Sequence, residues 1–271
     1  MYLMSLQNTF YATIPKQHGA WTVLIACLAL GIAAGAKFRL EVTFILLAVI
    51  AAFLGRNALS VYLRPSLSEG QKQGLSVWIM FYFAVFLSGG AGLVLGYKLW
   101  FLAPLGAVGF IVTAVSLGLE RIRKDMTAVG QIISILGLAL AAPAVEYTAA
   151  GRYSSRTLAV WLICSLFFSG SIFHVRYMAR KRLNSGKAFL ERLKVGFPLA
   201  LFHLSAFLTA VILAKFRIFP AYAPLAFIPA TLKALHLAGR TNNEPLSLRR
   251  VGYAELIHTL IFLVIAVFVF N

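Results

Sequence analysis

The sequence predicts an all-α polytopic membrane protein, with about nine transmembrane helices in a single domain of residues 1–271. Hydrophobic residues make up 61% of the chain and charged residues only 12%, whereas soluble domains have roughly 45–50% and 25%. Apolar runs recur along the whole length and leave no polar segment large enough for a separate soluble domain. A water-soluble fold and a single-helix anchor are therefore both excluded.

Each predicted span has close to the 20 or so apolar residues that a helix needs to cross the hydrocarbon core. The spans are residues 20–36, 41–63, 75–97, 99–119, 127–147, 157–177, 195–214, 218–237 and 251–270. The eighth contains Pro220, Pro224 and Pro229, which cannot donate backbone hydrogen bonds. We expect this span to be bent or partly unwound inside the bundle, where such breaks are tolerated.

Basic residues predict the orientation of the chain. Most of the 25 Lys and Arg residues fall in alternate loops that share one side of the membrane with the amino end. Because cytoplasmic loops carry the excess of basic residues, the amino end is predicted to be cytoplasmic and the carboxyl end outside. The net charge of +17 then reflects topology. Membrane lipids are the expected partners, and nucleic acid is not.

The sequence shows no metal site and identifies no cofactor. The chain has only eight acidic residues, and no two of them form a pair on one predicted helix face. Mg²⁺-dependent diphosphate chemistry requires such oxygen ligands. Cys27 and Cys164 lie inside predicted spans and lack the spacing of a zinc site or a disulfide framework.

Polar residues gather instead at predicted cytoplasmic helix ends. On the second helix, Asn57, Ser60 and Arg64 are spaced i, i+3, i+7 and share one face, with Arg56 beside them. Arginine is suited to binding an anion because its planar fork bonds phosphate or carboxylate oxygens bidentately. This group is either an anion site or a set of ordinary positive-inside residues that contact lipid headgroups.

The sixth helix carries a similar group. His174 lies on one face, and Arg176 and Arg180 form an i, i+4 pair next to it. The same two interpretations apply to these residues, since both an anion site and headgroup contacts place cations at the cytoplasmic boundary.

Hydrogen-bonding groups are also concentrated in the run that leads into the first span. Lys16 and His18 can form one wall of a polar pocket, and Gly19 would let the backbone approach a ligand closely. Alternatively, Trp21 only anchors the helix at the membrane interface.

The ninth helix carries ionisable residues one to two turns inside the membrane. Glu255 and His258 are i, i+3 neighbours at a depth where such groups normally face a cavity or a partner. Glu255 can orient His258 as a general base, or the pair can bond another helix. His203 lies at a similar depth to His258, which leaves two axial haem ligands as a further alternative.

The run Pro15-Lys16-Gln17-His18-Gly19-Ala20-Trp21, together with stretches 56–65, 169–182 and 249–258, resembles the YwiC-like family of bacterial membrane proteins. The resemblance covers nearly the whole chain and implies a multi-pass protein of the bacterial cytoplasmic membrane.

The chain has a more distant similarity to the UbiA-type intramembrane prenyltransferases, which also have nine helices with the amino end inside. Their first aspartate-rich motif, Asn-Asp-x-x-Asp-x-x-x-Asp, aligns with residues 56–64, so that Asn57, Ser60 and Arg64 replace the aspartates. Their second motif, Asp-x-x-x-Asp, aligns with Arg176 and Arg180. The resemblance implies a UbiA-like bundle that binds an isoprenoid or other anionic lipid without aspartate-bound Mg²⁺.

Two functions remain open at this point. The first is a divergent transferase or lipid-modifying enzyme, with Glu255 and His258 as acid and base. Its substrate-binding residues would be Lys16, His18, Arg56, Asn57, Ser60, Arg64, His174, Arg176 and Arg180. The second is a transporter or lipid-binding protein for an anionic substrate, in which the Pro-rich eighth helix moves.

Overall fold

The regular structure is entirely helical in the part of the chain that the computed structural model describes, residues 9–35, 37, 39–183, 189–239 and 248–271. In chain order the helices are α1 (His18–Gly35), α2 (Leu40–Tyr62), α3 (Glu69–Ala91), α4 (Leu102–Arg121), α5 (Ala128–Ala139), α6 (Ala141–Ala150), α7 (Ser155–Leu183), α8 (Phe189–Lys215), α9 (Ile228–Gly239) and α10 (Leu248–Phe270). The predicted all-α class is confirmed.

Eight helical stretches of the described chain are long and apolar enough to cross a membrane. Two of them are composite, because α3 continues into a π-helical turn at Gly92–Gly96 and α5 is followed directly by α6. Large apolar side chains such as Phe110 and Phe268 are exposed on the outside, where lipid would cover them. The prediction of an integral, multi-pass membrane protein is confirmed.

The predicted eighth span is not one continuous α-helix. A turn at residues 216–222 leads into a 3₁₀ helix, Ala223–Phe227, and then into α9, which gives a shorter apolar helix over Ala223–Ala238. Pro224 and Pro229 lie in the first turns of these two helices. Proline is well tolerated there because the first turn has no backbone acceptor for its missing N–H. The prolines therefore start two short helices.

Contacts divide the chain into two units, Met1–Tyr153 and Ser154–Asn271, and the single-domain organisation stays a prediction. In the first unit, α2 packs against α3, α1 against α6, and α4 against α5. Its apolar core joins α2, α6 and the stretch after α3 through Val42, Ile45, Leu93, Leu99, Leu102, Ala144, Val145, Tyr147 and Ala149.

Helix α6 is the most enclosed element of the first unit, since every residue from Ala141 to Ala149 is buried. Small residues allow this enclosure. A Cβ added at Gly31 of α1 would lie 2.6 Å from the Ala142 carbonyl oxygen, so α1 and α6 are in backbone contact there. The buried stretch includes the carboxyl group of Glu146, which is 1% exposed.

In the second unit, α8 packs against both α7 and α9, and the 3₁₀ helix packs against α8 and α10. Phe167 of α7 and Phe262 of α10 stack with ring centroids 3.8 Å apart. Tyr177, Leu199 and Ala234 form a buried cluster that joins α7, α8 and α9. These contacts bring polar residues from four helices to one place.

The close contact of α1 with α6 can be tested by adding one methyl group. Gly31→Ala should destabilise the protein by about 1–3 kcal/mol, because overpacking forces a backbone shift. Thermal unfolding in detergent micelles measures the change. Gly90→Ala is the matched control, since a Cβ at Gly90 meets nothing within 4 Å. Equal unfolding temperatures for the two variants would contradict the contact.

Candidate functional site

Two side chains of the second unit meet at the carboxylate of a third. Lys233 of α9 donates from Nζ to Oε1 of Glu255 on α10 at 2.5 Å, and Nδ1 of His174 on α7 hydrogen-bonds the same oxygen. The three helices are thus joined by polar contacts as well as by apolar packing. We call these three residues the carboxylate cluster.

The carboxylate cluster lies within the helical bundle of this unit. His174 is 4% exposed, and Glu255 lies in the candidate span Gly252–Phe270. An isolated charge at such a position is costly, so ionisable groups within spans normally pair with one another. The Lys233 ammonium compensates the Glu255 carboxylate, which reduces this cost.

The second ring nitrogen of His174, Nε2, is buried and has no hydrogen-bond partner among the described residues. An imidazole whose Nδ1–H is held by a carboxylate presents a lone pair at Nε2 when it is neutral. His174 therefore has the arrangement of an oriented general base, with Glu255 as the group that orients it.

A small cavity adjoins the carboxylate cluster. Its volume is about 30 Å³ and its lining is part polar and part aromatic. The lining residues are Phe167, Phe168, Ser171, His174, Leu199, His203, Ala230, Lys233, Ala234, Leu237, Glu255, His258 and Thr259. One water needs roughly 10–15 Å³ of such volume, so the cavity has room for about two water molecules.

His203 and His258 each hold Nδ1 against a carbonyl oxygen of their own helix. The distances are 3.0 Å from His203 to the Leu199 oxygen and 2.7 Å from His258 to the Ala254 oxygen. The predicted pair Glu255 and His258 thus lines one cavity, but Glu255 is bonded to His174 and Lys233. The sequence analysis placed His174 in a different group and did not single out Lys233, which lies inside the predicted span 218–237.

No three His, Cys, Asp or Glu residues of the described chain are placed to hold a metal ion. The cavity is also far smaller than the porphyrin that His203 and His258 would ligate in the haem alternative. The lone pairs of the cavity histidines can therefore serve only ligands of about the size of water in this conformation.

In the first unit, the predicted anion ligands have intramolecular partners. Arg56 donates to Ser116 Oγ at 2.8 Å and pairs with Glu120 at 3.4 Å, and Ser60 hydrogen-bonds the same Glu120 carboxylate. Ser116 in turn contacts Ser134 at 3.2 Å. The group connects α2, α4 and α5, so its geometry is that of a structural network.

Asn57 also bonds within the first unit. Its side-chain nitrogen donates to the Thr13 carbonyl oxygen at 2.9 Å, and the Thr13 hydroxyl lies 3.0 Å from the Tyr82 hydroxyl. Phe10 packs against Trp78 with ring centroids 4.9 Å apart. These contacts hold the helical segment 9–13 against α2 and α3.

The remaining predicted binding residues lie nearer the surface. Lys16, His18, Arg64 and Arg180 are exposed and Arg176 is half-buried. Trp21 donates to the Pro15 carbonyl oxygen at 3.1 Å, which fixes the turn before α1. Of all predicted site residues, the structure brings together His174, Glu255 and His258.

Comparisons with known proteins bear on the whole chain. Residues 14–146 match the family described as YwiC-like protein. The chain also resembles the "Uncharacterized protein YwiC" of Bacillus subtilis (strain 168), with 26% identity over 263 residues that cover 94% of this chain and 96% of the relative. The chain is thus similar to the YwiC-like family over residues 14–146. No solved structure matches it significantly.

The region that matches the family model contains the run 15–21 and the Arg56 network, and it ends before α7. The carboxylate cluster thus lies outside the residues that the family model covers. The UbiA resemblance and the orientation of the termini stay predictions.

The pairing within the carboxylate cluster can be measured by a double-mutant cycle with Lys233→Met and Glu255→Gln. We expect a coupling free energy of about 0.5–3 kcal/mol in thermal unfolding, because each single change leaves a partly buried group uncompensated. Lys72→Met with Glu69→Gln is the control. That pair is 2.9 Å apart with Glu69 90% exposed, and its coupling should be near zero. Similar coupling free energies in the two cycles would show that the Lys233–Glu255 pair is no stronger than an exposed pair.

Removing the Asn57 contact should release segment 9–13. Asn57→Ala should lower the free energy of local unfolding of this segment by about 1 kcal/mol. That change corresponds to roughly fivefold faster trypsin cleavage after the exposed Lys16. Ser60→Ala is the matched control, because Ser60 bonds Glu120 and not the segment. An unchanged rate in Asn57→Ala would show that this amide does not hold the segment.

Proposed function

We propose that this protein is an intramembrane enzyme that uses His174 as its acid–base group and acts on a membrane-soluble substrate with an anionic head, such as an isoprenoid. One observation carries the proposal: Glu255 holds Nδ1 of His174, while the buried Nε2 has no partner in the described chain. A base needs both features, a fixed ring and an uncommitted lone pair.

The chemistry of the site follows from these bonds. Nε2 of His174 accepts the proton of a substrate hydroxyl as that oxygen becomes a nucleophile, and the imidazolium returns the proton to the leaving group or to water. The Glu255 carboxylate stabilises the imidazolium through the bond to Nδ1. Such positioned proton transfer contributes typically 10²–10⁴-fold to a rate.

Charge supports an anionic substrate head. Lys233 and three histidines surround the single carboxylate in the cavity lining, so the lining becomes more positive when a histidine is protonated. One N–H of the Lys233 ammonium bonds Glu255, and an ammonium has three. A divergent transferase without aspartate-bound Mg²⁺ would use these cations to neutralise a leaving anion.

The substrate must enter through a conformational change, because small-molecule sites usually have about 300–1,000 Å³ and the cavity has about 30 Å³. The wall that carries Lys233 is suited to movement. Helix α9 follows a turn at residues 216–222 and the 3₁₀ helix Ala223–Phe227, so no continuous α-helix joins it to α8. Displacement of α9 would widen the cavity and separate Lys233 from Glu255.

The same stretch favours a second candidate, transport of an anionic substrate. Interrupted helices beside a polar site are a device of secondary transporters, and ionisable residues within spans mark proton relays as well as active sites. In this alternative the Lys233–Glu255 pair opens and closes with α9, and the substrate leaves chemically unchanged.

An assay on the purified protein in lipid nanodiscs tests the enzyme. Radiolabelled prenyl diphosphates are offered with quinone-type aromatic acceptors, with and without Mg²⁺. We expect a labelled lipid product that falls 10²–10⁴-fold in His174→Gln and Glu255→Gln. His236→Gln should keep full activity, since His236 is exposed on α9.

The outcomes separate the two candidates. A product that is equally abundant in His174→Gln would contradict the role of His174, because the substituted amide cannot accept a proton as imidazole does. Absence of both binding and product for every donor and acceptor would count against the enzyme. Substrate-dependent flux in proteoliposomes, without product, would favour the transporter.

A further inference from the structure

Three histidines from different helices line the same cavity of the second unit. They are His174 of α7, His203 of α8 and His258 of α10. The general-base role uses only His174 and assigns no function to His203 and His258. The hydrogen bonds of these two rings indicate one.

The tautomer of each neutral ring is fixed by the partner of Nδ1. A carbonyl oxygen can only accept, so Nδ1 of His203 and of His258 must carry a hydrogen to bond the Leu199 and Ala254 oxygens. Nδ1 of His174 faces the Glu255 carboxylate and donates for the same reason. All three neutral rings therefore present the lone pair of Nε2.

Close packing holds the His203 ring beside His174. A Cβ added at Gly170 would lie 2.8 Å from Nε2 of His203. Gly170 and His174 are i, i+4 on α7 and share one face of that helix. Nε2 of His203 thus lies over the face that carries His174, in a space that only glycine leaves open.

The charges around the rings act on them together. His203 interacts electrostatically with His174, Glu255 and Lys233. A further titratable side chain of these helices, Tyr177, donates its hydroxyl to the Leu237 carbonyl oxygen at 2.6 Å. A proton on His203 is therefore repelled by Lys233 and attracted by Glu255.

We propose that the cavity is a proton-binding site in which one excess proton is shared among Nε2 of His174, His203 and His258 through one or two water molecules. Water suits the site because it can donate hydrogen bonds to the Nε2 lone pairs. Among the described residues, no three His, Cys, Asp or Glu side chains are placed to hold a metal ion. As a shared proton moves, one Nε2–H bond breaks while another forms, and the total charge is unchanged.

This inference deepens the proposed function, since a shared site would store the proton that His174 takes from a substrate. Its test is separate, because it needs no substrate. Failure of the prenyl-transfer assay would leave the proton site standing, and failure of the proton site would leave His174 as a solitary base.

The test is ¹⁵N magnetic resonance of the full-length protein, labelled at histidine, in lipid bilayers. The chain has five histidines, and His18 and His236 are exposed and serve as internal references. At a pH where the rings are neutral, the three cavity histidines should show hydrogen on Nδ1 and a bare Nε2. Hydrogen on Nε2 of His203 or His258 would overturn the proposal.

Sharing is tested by removing one ring. In His203→Gln the titration midpoints of His174 and His258 should move by about 1 pH unit, the size expected for strongly interacting groups, and that of His236 should stay unchanged. Unchanged midpoints for all remaining histidines would show that the rings bind protons independently.

A second variant tests the proposal independently in case His203→Gln does not fold. Gly170→Ala should displace the His203 ring and change its ¹⁵N shifts and coupling while leaving His203 in the chain. Gly252→Ala is the matched control, because a Cβ at Gly252 of α10 meets nothing within 4 Å. Identical spectra for Gly170→Ala and the control would contradict the placement of His203 against α7.

Discussion

The second unit depends on one constraint, the cost of placing the carboxylate of Glu255 within a membrane span. Water is not there to solvate the charge, so cationic or donating groups have to be supplied by other helices. Lys233 and His174 supply them from α9 and α7. The same bonds that neutralise the charge also fix which faces of three helices meet, and they set the ring orientation of His174. In this unit, the contacts that compensate the Glu255 charge thus include the bond that orients His174 as a base.

The first unit meets a similar constraint in a different way. Glu120 is compensated by Arg56 and Ser60, and the enclosed helix α6 is packed through the small residues of α1. Here Arg56 and Ser60 both bond the Glu120 carboxylate, which leaves the arginine with a structural partner. The contrast with the second unit is chemical, since His174 retains a buried nitrogen without a described partner. A buried polar group without a hydrogen-bond partner calls for an explanation, and a catalytic role is one such explanation.

Part of the candidate site could be predicted from the sequence. Glu255 and His258 stand out because ionisable residues inside an apolar run are costly. Lys233 lies inside the predicted span 218–237, but no pattern in the sequence indicates that its ammonium pairs with Glu255, 22 positions away. Asn57 was interpreted as a ligand because its partner, the carbonyl oxygen of Thr13, lies 44 positions away in the chain. Arg56 was interpreted in the same way, although its partner Glu120 lies on another helix of the unit.

The sequence by itself determined that the chain is helical and crosses a membrane many times, because length and hydropathy of each run decide whether a helix can span a bilayer. It also determined that charges within those runs need compensation. Only the tertiary structure decided which residue compensates which, as in His174 and Glu255, 81 positions apart. Helical periodicity defines the face on which a side chain lies, but the partner depends on how whole helices pack, and packing is a property of all their apolar surfaces together.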